Sequence, residues 1–430
     1  MTRIVFIGAG SVEFTRNLLG DILTFPELAD ATIVLHDIDP ERLETAAAMA
    51  RWTNGAVGGR ATIETHLDRR AALSGADFAI NTIEVGGIAA TRLDFDIPEK
   101  YGLRQTIGDT LGVGAVFRAL RTIPILLDIG RDMAELCPDA WLLNYTNPMA
   151  MNVWAYDAGS PHKKVVGLCH SIQNTSRQIS EYAGVPFDEV TFAGAGVNHM
   201  AWVLRFEREG VDLYPRLDEA IAADPDGLGR HVRVQIYKLF GYFPTESSEH
   251  FAEYVPWFMR DDHEIERLRI PVDEYVRRSE ENLDLYEQER RKLAAGERFD
   301  IERSQEYASL IIHSMVTGVA RTIYGNVRNT GLIANLPQDA CVEVPCLVDR
   351  AGLQPTVVGE LPPQCAALDR AFLNEVELTV RAALEQRRDH VLQAVALDPN
   401  AAATLSLSQI EALVDEMLAA EREMMPEGLR

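Results

Sequence analysis

Hydrophobic positions at the start of the chain change period twice. Thr2 to Phe6 is a β-prone run, Phe14 to Phe25 carries apolar residues at helical spacing, and Thr32 to Leu35 is a second β-prone run. The turn between the first two is Gly8-Ala-Gly-Ser11, and the second run ends in His36-Asp-Ile-Asp39. This order predicts a βαβ unit. Further strand ends are expected at Asp77–Thr82, Trp141–Pro148 and Lys164–Leu168. In a doubly wound sheet, ligands bind beyond the carboxyl ends of the strands, so these loops are expected to converge on one crevice.

The rest of the chain reads less regularly. Arg92 to Gly114, rich in glycine and charge, predicts a loop against substrate. Leu239 to Trp257, dense in aromatics and prolines, predicts a cleft wall. Glu264 to Arg298 is highly charged, with the spacing of a solvated helix from Pro271 onward. Asn326 to Pro345 alternates loop and strand signals, and either returns to the crevice or meets another subunit. Phe372–Leu397 and Ser406–Met425 predict C-terminal helices, the second capped by Ser406 or Ser408. There is no internal repeat or low-complexity linker. The end of the Rossmann pattern sets the expected boundary, giving residues 1–195 as a Rossmann-type doubly wound domain and 196–430 as an α/β substrate, catalytic and oligomerisation domain.

Composition narrows the function. A chain of 430 residues with 47% hydrophobic content buries a sizeable core. A net charge of -24 argues against a nucleic-acid partner, which requires Lys and Arg clustered along a binding face. No stretch approaches the roughly 20 apolar residues of a membrane span, and Met1 runs straight into the first strand, so a cytoplasmic protein is expected. Its five cysteines, Cys137, Cys169, Cys341, Cys346 and Cys365, are an odd number in a large chain, which predicts reduced thiols.

Chemistry concentrates at the strand ends. Gly8 and Gly10 let the backbone turn tightly and approach a pyrophosphate, whose charge sits at the N-terminus of the following helix. Glu13 stands where the full fingerprint has its third glycine. Asp37 is placed for a ribose diol and favours NAD over NADP, because a carboxylate repels a 2′-phosphate. Ser11, Thr82 and Asn144 complete the expected cofactor contacts. Asn147-Pro148 resembles the Asn-Pro of lactate and malate dehydrogenases beside the nicotinamide ribose, although Asn144 and Asn147 also suit Asx-turn capping. Arg92 and Asp109 are candidate substrate contacts or solvated surface. Cys169 and His199, 30 residues apart, are either buried structural residues or two ligands of a catalytic cation whose other positions go to substrate oxygens and water.

The chain resembles glycoside hydrolase family 4, the NAD- and metal-dependent glycosidases. The resemblance rests on Gly8-Ala-Gly-Ser11, Asp37-Ile-Asp39, Asn147-Pro148, the cysteine following Val166-Gly-Leu168, and Asn198-His199. Within that family, Cys169-His-Ser171, the segments Pro244–Tyr254 and Gly325–Ile333, and Cys341–Cys346 look like the α-galactosidase branch. The resemblance implies that NAD+ takes a hydride from the sugar C3 hydroxyl, that the ketone acidifies the C2 proton, and that elimination, water addition and hydride return follow. Mn2+ or another divalent cation, held by Cys169 and His199, would bridge the C2 and C3 oxygens. This route differs from two-carboxylate displacement.

The resemblance also suggests residue roles. Asn147 matches a substrate-binding asparagine. His170 stands where some members carry the acid as aspartate, and is either that acid or a contact to a sugar hydroxyl. Phosphoglucosidase members have a tyrosine base shortly after the proline that Pro244 resembles; this chain has serine there, leaving Glu246, Glu249, His250, Tyr254 or metal-bound hydroxide, with Glu246 and His250 foremost. The expected substrate is an α-galactoside, or an α-glucoside, and the expected assembly a dimer or tetramer. A 2-hydroxyacid dehydrogenase on the same scaffold is the alternative, and an NAD-sensing regulator a third reading.

Overall fold

The computed structural model describes the chain other than residues 298, 300, 302 and 305, and residues 12 and 13 by their backbone alone. Among the described residues, thirteen strands form one mixed sheet. They are β1 (Arg3–Ile7), β2 (Thr32–His36), β3 (Thr62–His66), β4 (Phe78–Asn81), β5 (Trp141–Asn144), β6 (Val165–Gly167), β7 (Thr191–Val197), β8 (Met200–Arg208), β9 (Val211–Asp212), β10 (Phe243–Pro244), β11 (Arg321–Arg328), β12 (Cys341–Asp349) and β13 (Gly352–Pro355).

Strands β3-β2-β1-β4-β5-β6 run parallel in that spatial order, the doubly wound arrangement expected of residues 1–195. The central strands β1 and β4 are apolar because helices cover both faces and leave no side open to water. Among those helices is Val113–Leu136, buried along most of its length. The C-terminal half extends the same sheet antiparallel, in the order β11-β12-β7-β8-β10. The join is narrow: β6 meets β11 through Asn326 opposite Gly167, and β12 meets β7 through Glu343 opposite Gly196. Residue 195, the expected boundary, lies inside β7.

Several expectations are revised. Helix Gly87–Lys100 takes the first half of the stretch read as a substrate loop and leaves 101–112 as the loop proper. The helical signal from Phe372 belongs to two helices, Pro363–Glu385 and Arg388–Leu397, separated at Gln386 in the left-handed region. Ser406 caps helix Leu407–Ala420 in a capping box with Gln409. The charged segment forms helices Asp262–Leu268 and Glu274–Ala295, and Arg298 lies outside the described residues. The aromatic segment serves packing more than a cleft: Phe243, Phe251 and Tyr254 are buried, while Trp257 is exposed. Among the described residues, no helix is long and apolar enough to cross a membrane.

Candidate active site

The first crevice is made by backbone. Gly8 and Ala9 both donate to the His36 carbonyl at 3.0 Å, folding the turn across the end of β2. Gly8 has φ 84°, and a Cβ there would lie 2.9 Å from the Ile83 nitrogen, so only glycine fits. A Cβ on Gly10 would lie 2.7 Å from Asp37 Oδ2, the oxygen that accepts the Gly10 N–H at 2.7 Å. Ser11 begins helix Val12–Leu23 without a side-chain cap bond, leaving the first-turn N–H groups for an anion. This cradle suits a dinucleotide pyrophosphate, with Asp37 beside it.

Two expected cofactor contacts have internal duties instead. Thr82 Oγ1 donates to the Gly8 carbonyl at 3.0 Å and braces the turn from below. Asn144 is 2% exposed; its oxygen accepts from Asn81 at 2.8 Å and its amide donates to the Thr146 carbonyl at 3.0 Å. An amide fully used inside the strand ends does not reach a ligand.

The second crevice joins residues from five segments. Cys169 follows β6, His199 sits in the β7–β8 turn, and Glu246 follows β10. Cys169 Sγ lies 3.3 Å from His199 Nε2, and Glu246 Oε2 lies 3.7 Å from the same nitrogen. The three ligand atoms fall within 4.8 Å of one another, as do those of Asp109, His199 and His250. His199 and Glu246 both hold left-handed backbone, φ 66° and 68°, a conformation uncommon for such residues and concentrated at functional sites.

A hydroxyl fixes the His199 tautomer. Thr110 Oγ1 donates to Asp109 Oδ1 at 2.7 Å and lies 2.8 Å from His199 Nδ1. With its proton committed to Asp109, Thr110 accepts from Nδ1–H, which turns the Nε2 lone pair toward Cys169 and Glu246. This is the orientation a cation ligand requires, supplied by its hydrogen-bonded neighbour. Burial pushes the Cys169 thiol up to about 12, so a thiolate there needs a cation. Cys169 Sγ and His199 Nε2 facing one point suit a divalent metal, with the Glu246 carboxylate beside them.

Charges around this point compensate one another. Burial raises Asp109, but His250, His199 and Arg118 outweigh it and hold the carboxyl below its usual range. Glu246 behaves likewise: burial is overcome by His199, His250, His170 and Arg233, which hold it below its usual range. Asp109 Oδ2 accepts from Asn147 Nδ2 at 2.9 Å, bringing together two of the expected substrate residues. His250 lies 3.7 Å from Asp109 and 3.7 Å from Glu246, with Nδ1 2.9 Å from Ser247 Oγ. His170 Nδ1 lies 3.2 Å from Glu306, whose hydrogen bond raises the imidazole to about 9 against the effect of burial. His170 and Glu246 face a common cavity of about 300 Å³.

Arg92 does not join this assembly. It projects from helix Gly87–Lys100 into solvent and pairs with Glu280 at 2.6 Å. Conversely, several participants carry no motif. Glu253 accepts the Thr106, Ile107 and Gly108 amides at 2.7, 3.3 and 2.8 Å, anchoring the loop that presents Asp109. Glu375 takes the Gly112 amide at 2.7 Å. Glu343 is 0% exposed, faces the Asn198 amide, and burial raises its carboxyl to about 7. Thr110, Glu253, Glu343 and Glu375 lie inside stretches quoted from the sequence without being singled out there, and Glu306 lies in none; all five gain meaning only from the fold.

Comparison with known proteins adds to this geometry. Residues 3–185 match the family described as family 4 glycosyl hydrolase, and residues 194–401 match the family 4 glycosyl hydrolase C-terminal domain. An α-galactosidase of Bacillus subtilis is 43% identical over 99% of this chain and 100% of its own length. An α-galactosidase of Rhizobium meliloti is 35% identical over 99% of this chain and 89% of its own. Among solved structures, the 6-phospho-β-glucosidase of Thermotoga maritima with manganese, NAD+ and glucose-6-phosphate superposes with a TM-score of 0.81 at 22% identity, covering 99% of each chain.

Proposed function

The chain belongs to the family 4 glycosyl hydrolases, and on that premise we propose that it hydrolyses α-galactosides using NAD and a divalent cation, Mn2+ in the first instance. The observation that carries this reading is the convergence of Cys169, His199 and Glu246 within 4.8 Å at the mouth of a sheet whose first turn is a dinucleotide cradle. Substrate identity is supported by the two α-galactosidases that match nearly the whole chain. When bound, the nicotinamide supplies a reversible hydride acceptor for the C3 hydroxyl, and the cation a sink for negative charge on the C2 and C3 oxygens.

The chain's own residues do the rest. Cys169 and His199 would hold the cation, His199 in the tautomer that Thr110 imposes. Asn147, fixed by Asp109, presents its amide to a sugar hydroxyl. Glu246 is held anionic with help from the His170 and Arg233 cations, so it accepts the C2 proton, while His250 lies 3.7 Å from that carboxylate. His170, kept protonated by Glu306, donates to the C1 oxygen as the bond to the leaving group breaks.

A 2-hydroxyacid dehydrogenase would consume NAD stoichiometrically and has no use for a thiol, imidazole and carboxylate focused on one point. Free thiols at all five cysteines suit a cytoplasmic setting. The test is hydrolysis of p-nitrophenyl α-galactoside, α-glucoside and α-galacturonide with and without NAD+ and Mn2+. Galactoside cleavage that needs both, without net NADH, is expected. NADH accumulating on a hydroxy acid, with no glycoside cleaved, would overturn it.

A further inference from the structure

A helix from the C-terminal half reaches the dinucleotide turn. Helix Glu274–Ala295 is tied down by polar contacts on either side of Tyr286: Glu280 pairs with Arg92 before it, and after it Glu289 pairs with Arg16 and Arg290 pairs with Glu41 at 3.1 Å. Between these ties the Tyr286 hydroxyl donates to Thr45 Oγ1 at 3.2 Å, while Thr45 gives its own proton to the Glu41 carbonyl at 3.0 Å. A tyrosine 241 positions along the chain is thereby fixed beside the cofactor crevice.

Tyr286 also takes a cation. Arg42 precedes Thr45 by three positions on helix Pro40–Ala56, so the two share a face and meet the same tyrosine. The Arg42 guanidinium lies 4.7 Å from the Tyr286 ring centroid, and its Nη1 lies 3.5 Å from the Gly10 carbonyl. The neighbouring aspartates are occupied with backbone: Asp37 accepts the Gly10 and Asp39 N–H groups at 2.7 and 2.9 Å, and Asp39 accepts those of Glu41 and Arg42 at 2.9 and 3.1 Å. The ring and the Gly10 carbonyl are therefore what hold the guanidinium.

The stem of Arg42 nonetheless stands beside the ribose-binding carboxylate. A Cβ on Gly10 would meet Asp37 Oδ2 at 2.7 Å and the Arg42 Cβ at 2.8 Å, so both side chains flank one glycine. An acidic residue at the end of the second strand takes the 2′-hydroxyl of NAD, whereas an arginine nearby accommodates the 2′-phosphate of NADP. This chain carries both groups, and their arrangement decides between the two cofactors.

We infer that Tyr286 sets the cofactor preference by holding Arg42 off the ribose, so that Asp37 alone meets the 2′ position. Tyr286 is a positioning residue that acts through Arg42. The inference rests on the NAD site of the reading above and is independent of the sugar cleaved.

The experiment titrates NAD+ and NADP+ by calorimetry into the full chain as wild type, Tyr286→Phe, Tyr286→Leu, Arg42→Gln and the double variant Tyr286→Leu/Arg42→Gln. Wild type is expected to bind NAD+ more tightly. Tyr286→Leu is expected to raise affinity for NADP+ relative to NAD+ by about five- to tenfold, the worth of one cation–π contact. Tyr286→Phe keeps the ring and is expected to hold the ratio within about twofold of wild type. In the double variant the gain is expected to vanish, because the guanidinium that meets the phosphate is gone. An unchanged ratio in Tyr286→Leu, or a gain that survives in the double variant, would overturn the inference while NAD+ binding still upheld the cradle. Arg42→Gln decides the matter from the other side, even if Tyr286→Leu fails to fold. It is expected to leave both affinities within about twofold of wild type, since a guanidinium held on the ring serves neither cofactor. A large loss of NADP+ affinity there would show Arg42 already facing the ribose and would overturn the inference. No binding of either cofactor by wild type would remove the cradle and the inference together.

Discussion

The two crevices at the edge of this sheet are built on opposite principles. The cofactor turn lies within one βαβ unit, which brings Asp37 at the end of β2 to Gly8 and Gly10, and hydrogen bonds to backbone at 2.7–3.0 Å shape it. The cation crevice is dispersed, drawing on Asp109, Asn147, Cys169, His199 and Glu246, and its buried charges are tolerable because each has an opposite neighbour. Backbone geometry binds a cofactor that recurs in many reactions. Compensated side-chain charge is what can be re-arranged for a particular one.

If the crevices are separable, Cys169→Ser should break one and spare the other. Hydrolysis should fall to background and resist added Mn2+, while NAD+ titrated by fluorescence binds as in wild type. Unchanged turnover with normal metal content would remove Cys169 from the site. Glu246→Gln keeps the shape and loses the base, and kcat should fall by about 100- to 10,000-fold. Deuterium at the substrate C2 should slow wild-type turnover or wash out into solvent, and neither effect would count against proton removal there.

Thr110→Val tests the tautomer. Without the hydroxyl, Nδ1 loses its partner, and Mn2+ affinity read by calorimetry should weaken by about 10- to 100-fold. An unaltered affinity would show that the hydroxyl is dispensable. The smallest effect belongs to Arg92→Ala, which removes an exposed ion pair worth roughly 0.2–1 kcal/mol. Activity should not change and melting should shift by no more than a few degrees; a large loss of kcat would return Arg92 to the substrate site.

The same contrast explains how far the sequence could be read. Contiguity is legible, so the βαβ unit, the glycine turn and Asp37 at the end of β2 fall where the pattern places them. Cys169 and His199 are brought together only by the antiparallel extension of the sheet, and residue spacing carries no trace of it; the family resemblance supplied the pair. Asn144 takes the local bonding that its sequence context also allows, because a strand-end amide looks alike whether it turns outward or braces its neighbours. Of the two readings open for Arg92, the structure takes the solvated one, because helix Gly87–Lys100 turns its charge to water. Thr110 and Glu306 act through partners far along the chain, and neither residue type nor local pattern marks them.

The single pairing of Gly167 with Asn326 has a consequence for how the molecule is made. Strand β6 has β5 on one side, and the other side is closed by a segment that leaves the ribosome more than 150 residues later. In that interval the growing sheet offers bare N–H and C=O groups to any extended neighbour. The C-terminal half therefore shields the Rossmann sheet as well as completing the site. A 1–185 fragment is expected to self-associate in light scattering where the full chain does not, because the strand that would cover it has not yet arrived.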